Sequence, residues 1–275
     1  SQETLGQELR PYQNETGDND DKSVTLDELA KKARDYNLVP YHRPNGNIQI
    51  LKAFLSHDIP VITRSLLNKD EDIGHYRVIK GYDDVTQQLI FDDSFEGGNL
   101  RLSYDDFTFL WGQMVNEYLV IVPQDKQALA EVILGEDKDN DAAWKRTVHK
   151  LEEQIKANPN DIQQQFNLSV ALYYTGEYQK SVEAFEKGEG HVSFRKLWYQ
   201  IEPILSYYEL GQTDRVFAFT DKIVFNQNRA FSELYLLRGN IYKKQGNFDV
   251  ARKEFEQAVF YNTNFKEAQD ALNAL

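Results

Sequence analysis

The chain has 275 residues, no cysteine and a formal net charge of −13, with 41% hydrophobic and 13% aromatic residues. That content supports real cores over a length that suits two domains and excludes a disordered chain. The missing cysteines exclude disulfides and thiolate metal sites. The charge opposes nucleic acid and anionic lipid as partners, and no apolar run approaches the roughly 18 residues of a membrane span.

The acidity is concentrated early: residues 1–124 carry 21 acidic and 12 basic side chains, a balance of −9. The opening SQETL (1–5) reads as a chain entered mid-domain and has no signal-peptide layout. Residues 13–24 are polar and acidic and read as a surface loop. Thr25-Leu26-Asp27-Glu28 fits a capping box, and Leu26, Leu29, Ala30 and Ala33 then form a helical stripe. PYHRPNG (40–46) reads as turn chemistry. From Asn47 to His57 the pattern predicts a short helix with Ile48, Leu51, Phe54 and Leu55 inward.

Four strand-like runs come next, at residues 59–65, 73–81, 88–92 and 118–122. Between the last two, Ser103 opens an amphipathic helix carrying Phe107, Leu110 and Trp111. Gly97-Gly98 is a lone turn signal. Helices first and mostly antiparallel strands afterwards predict an α+β domain rather than an alternating α/β one. Pro123-Gln124 closes this region, and residues 135–143 make a second polar break.

Beyond about residue 142 the pattern is helical, with an internal repeat. YYTGEYQKSVEAFEKG (173–188), YELGQTDRVFAFTDKI (208–223) and KKQGNFDVARKEFEQA (243–258) align on Gly176, Gly211 and Gly246, 35 residues apart both times. These segments resemble the tetratricopeptide repeat, a helix–turn–helix unit of about 34 residues. The third unit carries the small and aromatic positions well (Tyr235, Gly239, Tyr242, Phe248, Ala251, Phe255, Ala258); the second departs most, with Pro203, Val216 and Thr220. Trp144–Ala157 reads as a degenerate leading helix and Phe265–Leu275 as a capping one. The resemblance covers roughly residues 160–275 and implies an all-α scaffold that binds a protein or peptide ligand in its groove.

The candidate chemistry lies in DIGHYRVIKGYDDVTQQLIFDDS (72–94). Two apolar runs around a turn at 81–87 predict an antiparallel hairpin. A turn centred on Asp84 sets His75 opposite Asp93, within reach of an imidazole–carboxylate hydrogen bond; a turn centred on Val85 sets Arg77 there instead, as an ordinary salt bridge. The residues leave both registers open. The remaining histidines carry less: His42 falls in the predicted turn, His57 at a helix end and His191 in a repeat connection. The i, i+4 pair His149 and Glu153 suits a solvated helix face better than a metal site. No metal or cofactor motif is present.

LKAFLSHDIPVITRS (51–65), GHYRVIKGYDD (74–84), LIFDDS (89–94), LSYDDFTFLW (102–111) and EYLVIVP (117–123), in that order, resemble the bacteriocin-processing, or double-glycine leader, cysteine peptidases. The resemblance spans about residues 24–123. It implies a papain-like fold, His75 as general base and Asp93 as the carboxylate that orients it, with Asp92 the near alternative. In that family the nucleophilic cysteine, preceded by an oxyanion-hole glutamine, sits on a helix near the N-terminus. SQETLGQELRPYQ (1–13) resembles the family's segment just after that helix, and neither helix, glutamine nor cysteine occurs in these residues. Ser1 and Ser23 have no Gly-Pro context and start no helix, so neither replaces the thiol.

The expectation is therefore a papain-like peptidase-like domain at 1–124, N-terminally incomplete, a helical linker or degenerate repeat at 125–159, and tetratricopeptide repeats at 160–275. The intact parent would hydrolyse a peptide or amide bond by a Cys-His-Asp mechanism, and the chain as written would be inactive for want of the cysteine. The competing expectation is a non-catalytic adaptor, a pseudo-peptidase joined to repeats. Analogy with the family points to a bacterial envelope or extracytoplasmic location.

Overall fold

The computed structural model of the chain describes residues 1–10, 24–193 and 195–275. Most of the expected loop at 13–24, and Ser23 with it, lies outside the described residues. The elements begin α1 (Gln2–Leu9), α2 (Leu26–Asp35), β1 (Leu38–Arg43), α3 (Ile48–Leu55), β2 (Val61–Leu66), β3 (Gly74–Asp83) and β4 (Gln88–Asp93). They continue with β5 (Gly97–Ser103), α4 (Tyr104–Gly112), β6 (Tyr118–Pro123), α5 (Gln127–Leu134) and α6 (Asn140–Ala157). The helical remainder comprises α7 (Ile162–Tyr174), α8 (Tyr178–Glu186), α9 (Lys196–Tyr199), α10 (Glu202–Glu209) and α11 (Thr213–Asn226). It ends with α12 (Ser232–Lys244), α13 (Phe248–Tyr261) and α14 (Lys266–Asn273). Two compact units result, one formed by residues 25–203 and the other by residues 1–24 with 204–275.

The first unit is built on an antiparallel sheet in the order β1-β6-β2-β3-β4-β5. Period-2 alternation sends Val61, Ile79, Phe91 and Val120 to one face, where they meet Leu51 and Phe54 of α3, Phe107 and Trp111 of α4, and Ala130 and Leu134 of α5. On the other face Leu26 and Ala30 of α2 pack with Leu119, Ile62 and Ile121. The helix starts obey their sequence signals. Thr25 and Glu28 complete a reciprocal capping box, and Asn47 and Ser103 cap α3 and α4 through their side chains.

Two expectations are corrected. Residues 38–43 form strand β1 instead of belonging to a turn, and Pro40 is tolerated because β1 lies at the edge of the sheet, where a missing N–H leaves no ladder bond unmade. Gly97-Gly98 opens β5, the strand at the opposite edge, whose residues are mostly exposed and so carry little apolar signal. In the same unit α6, α7 and α8 continue as helices, with the Trp144 and Tyr174 rings stacked 4.0 Å apart. Asn167 of α7 donates to the Gly112 carbonyl at the end of α4, 2.8 Å away.

The repeat pattern is realised at all three glycines. Gly176, Gly211 and Gly246 sit at φ of +76°, +70° and +78°, each between paired helices (α7–α8, α10–α11, α12–α13). After each, the next N–H reaches back five residues: Glu177 to Leu172, Gln212 to Tyr207 and Asn247 to Tyr242, each at 2.9 Å. This is the Schellman closure of a helix, which needs the left-handed residue that glycine supplies without strain. In the third repeat Gly239 lets the Phe255 ring approach: a Cβ there would fall 2.3 Å from that ring.

Candidate active site

The hairpin of β3 and β4 positions the candidate residues. Its turn is folded by Asp83, whose Oδ1 accepts from the N–H groups of Val85 (3.0 Å) and Thr86 (3.1 Å), while Gln87 takes φ +54°. The strands pair Asp83 with Gln88, Tyr82 with Leu89 and Gly81 with Ile90, then slip at Lys80, and pair Ile79 with Phe91 and Val78 with Asp92. Continued by one residue, that register sets Arg77 opposite Asp93. The register centred on Asp84 is thereby corrected to the one centred on Val85: pairing of Asp83 with Gln88 centres the turn between Val85 and Thr86, and the extra residue of β3 at the bulge brings the pairing beyond it back to Val85.

The bulge does not separate His75 from Asp93. His75 and Arg77 share a face of β3, and the imidazole reaches Asp93 as the diagonal neighbour, Nε2 to Oδ2 at 2.7 Å. Arg77 Nε lies 3.6 Å from the same oxygen. The two arrangements offered by the sequence as alternatives therefore coexist around one carboxylate.

Asp93 is fully buried at its side chain. Burial pushes its carboxyl up, but the hydrogen bonds from the Glu96 N–H (2.9 Å), the His75 ring and the Phe95 N–H (2.8 Å) outweigh burial and hold it below the usual carboxylate value. With the carboxylate ionised, the imidazole nitrogen facing it is the N–H donor, and the lone pair of the neutral ring sits on Nδ1. Among the described residues no hydrogen bond is made to that Nδ1. Gly74, just before His75, carries no Cβ because the Tyr199 ring would lie 2.9 Å from it.

Sequence reasoning missed Arg77 as a member of the site. Its guanidinium donates to Ser65 Oγ (2.7 Å), the Leu66 carbonyl (2.9 Å) and the Leu67 carbonyl (2.8 Å), and stacks 5.3 Å from the Phe91 ring. A buried arginine with its remaining edge towards a buried aspartate is recognisable only once the sheet is assembled. Ser65 stands opposite His75 in the β2–β3 register. Its hydroxyl accepts from Arg77 and donates to the Leu66 carbonyl at 3.1 Å, which leaves it no proton for the imidazole.

The other acids and histidines have different duties. Asp92 points to the opposite face, where it holds Lys80 Nζ at 2.6 Å and accepts from the Asn99 N–H at 2.8 Å. His42, on β1, lies 3.6 Å from the buried Glu117, which also has Arg64 at 3.5 Å. Burial pushes the Glu117 carboxyl up, and the contacts of His42 and Arg64 bring it below its ordinary value. His149 is exposed on α6, and among the described residues no three metal-ligating side chains converge. Ser1, expected to start no helix, is corrected: it is the N-cap of α1, its hydroxyl accepting from the Thr4 N–H at 3.1 Å.

Residues 1–126 match the model of the Peptidase_C39 like family, and residues 232–265 match the tetratricopeptide repeat model. The chain carries a peptidase C39-like domain followed by tetratricopeptide repeats. No curated protein matches it. Among solved structures, one titled "Crystal structure of MamA" is similar at 14% identity and a TM-score of 0.43, covering 48% of this chain and 76% of that one. Another, titled "MamA MSR-1 C2", is similar at 19% identity and a TM-score of 0.42, covering 48% of this chain and 74% of that one.

Proposed function

We propose that the peptidase C39-like domain supplies the base and the orienting carboxylate of a Cys-His-Asp hydrolase acting on a peptide or amide bond, while the repeats hold a protein or peptide partner. The observation that carries this reading is the 2.7 Å bond from His75 Nε2 to a buried Asp93, with Nδ1 left without a partner among the described residues. A base needs that arrangement: one nitrogen anchored, the other presenting its lone pair. Nδ1 takes the proton of a thiol, and the thiolate attacks the carbonyl carbon. The imidazolium, stabilised by Asp93, then returns the proton to the departing amine. In the second half His75 takes a proton from the water that hydrolyses the thioester.

No cysteine occurs among the 275 residues, so the thiol must come from outside this sequence, and the chain as given performs no turnover by itself. The test uses the product of the whole gene and a thiol-reactive peptide probe. Labelling at one cysteine that His75→Ala slows about a hundredfold is the expected result. Labelling at an unchanged rate in His75→Ala, or none in a folded product, overturns hydrolysis.

The second reading, a non-catalytic adaptor, is favoured by the fate of the serines: Ser65 is bound to Arg77 and Ser1 caps a helix. A whole-gene product without a reactive thiol that still binds a partner protein through the repeats supports it.

A further inference from the structure

The hydrogen bonds of Arg77 go to uncharged partners, while its charge faces Asp93. Nη1 and Nη2 donate to Ser65 Oγ and to the carbonyls of Leu66 and Leu67, and the side chain is only 3% exposed. Nε makes no hydrogen bond. That nitrogen stands 3.6 Å from Asp93 Oδ2, the same oxygen that His75 Nε2 approaches to 2.7 Å. The other carboxylate oxygen, Oδ1, accepts from the N–H groups of Phe95 and Glu96.

An arginine that served only to neutralise a buried carboxylate would close on it with two parallel N–H bonds. Here the near position on Oδ2 is left to the imidazole, and the guanidinium, held by three neutral acceptors, acts on the pair through its charge. The direction of that action follows from Coulomb's law. With the carboxylate ionised and the ring neutral, the pair carries one negative charge, which Arg77 attracts. A second proton, on either partner, makes the pair neutral and forfeits that attraction. The other charged groups nearby are more distant or engaged. Glu96 Oε2 lies 4.0 Å from Arg77 Nη2 on a side chain that reaches water, and Asp72, on the loop entering β3, is bound by Arg195 at 3.2 Å. Ser65, opposite His75 on β2, is uncharged.

We infer that Arg77 is a positioning residue that keeps the His75–Asp93 pair in its one-proton state, a carboxylate beside an uncharged ring with Nδ1 open. The inference rests on the reading of His75 as the base, since only the uncharged ring can take a proton from a thiol. Arg77 touches neither the thiol nor the scissile bond. It acts through Asp93, by making a further proton on the pair unfavourable.

The chain as given holds no thiol, so the pair can be titrated without turnover. The readout is the pH at which the pair takes its second proton, followed by NMR through the ring nitrogen and Cε1–H signals that vanish in His75→Gln. In Arg77→Gln that pH is expected to rise by at least about one unit, a tenfold gain in proton affinity. Arg77→Lys, which keeps the charge, is expected to stay within about 0.3 unit of the unaltered chain. An unchanged pH in a folded Arg77→Gln overturns the inference, and so does an equal rise in Arg77→Lys, which would assign the effect to packing. Where Arg77→Gln does not fold, Asp93→Asn decides, because its ring faces the cation alone. That ring is expected to take its proton at least about one pH unit lower than in the same chain unfolded in urea. Uptake at the same pH in both overturns the inference. A whole-gene product without a reactive cysteine would end the hydrolase reading and leave this titration standing, while a null titration would leave the labelling result untouched.

Discussion

The Asp93 carboxylate is shared by the His75 ring, two N–H groups of the following turn and, at longer range, the Arg77 guanidinium. Exchanging it for an amide removes the charge that Arg77 faces while keeping the shape. Asp93→Asn should lower stability by about 3 kcal/mol at pH 7, read from urea denaturation, because a buried cation loses its counter-charge. The lowered carboxyl sets the sign of the pH dependence. Ionised Asp93 stabilises the fold above the unfolded value near 4 and ceases to do so as pH falls through the folded value, so the gap between the two proteins should close in acid. A gap unchanged down to about pH 2 would assign the loss to shape and not to charge. At this scale the sequence named His75 and Asp93 but treated Arg77 as their rival. The bulge at Lys80 and the length of the arginine side chain, which let all three meet, leave no signal in the local pattern.

At the scale of elements, the repeat glycines separate two physical roles. Gly246 has open space where a Cβ would stand and a φ of +78°, so Gly246→Ala should cost about 1 kcal/mol, from backbone strain alone. Gly239 lies in ordinary helical backbone against the Phe255 ring, so Gly239→Ala should cost more, about 2–3 kcal/mol, through overpacking. Thermal unfolding of both variants ranks them, and the reverse order would refute the assignment of roles. A third site tests a cap: Thr25→Ala removes the hydroxyl that accepts the Glu28 N–H and should cost about 1 kcal/mol in the same measurement. Caps and turn glycines were legible because they act within four or five residues. Strand β1 was not: Pro40 and the Pro44-Asn45-Gly46 run look like a turn, and only its pairing with β6 makes it a strand.

For the whole molecule, the charge of −13 governs encounters. The chain should not co-sediment with vesicles of mixed neutral and anionic phospholipid at physiological ionic strength, and lowering the salt should not bring it down. Sedimentation that strengthens at low salt would show a basic surface that the composition conceals. No described helix is long and apolar enough to cross a membrane. The joining of a peptidase C39-like domain to tetratricopeptide repeats makes the chain a fused protein-interaction scaffold, and the proposed hydrolysis adds chemistry to that scaffold only when a thiol is supplied.

By itself the sequence determined the α+β region, the repeat architecture with its 35-residue spacing, and the helix caps. These depend on periodicity and on groups close together in the chain, where one local conformation satisfies the residues present. Tertiary structure alone decided which atoms the titratable groups meet: that His75 reaches Asp93 across a bulged register, that Ser65 spends its hydroxyl on Arg77 and Leu66, and that α1 rests on Glu233 and Asn264. Those outcomes turn on distances of an ångström between residues up to 257 positions apart, which are set by how whole elements pack.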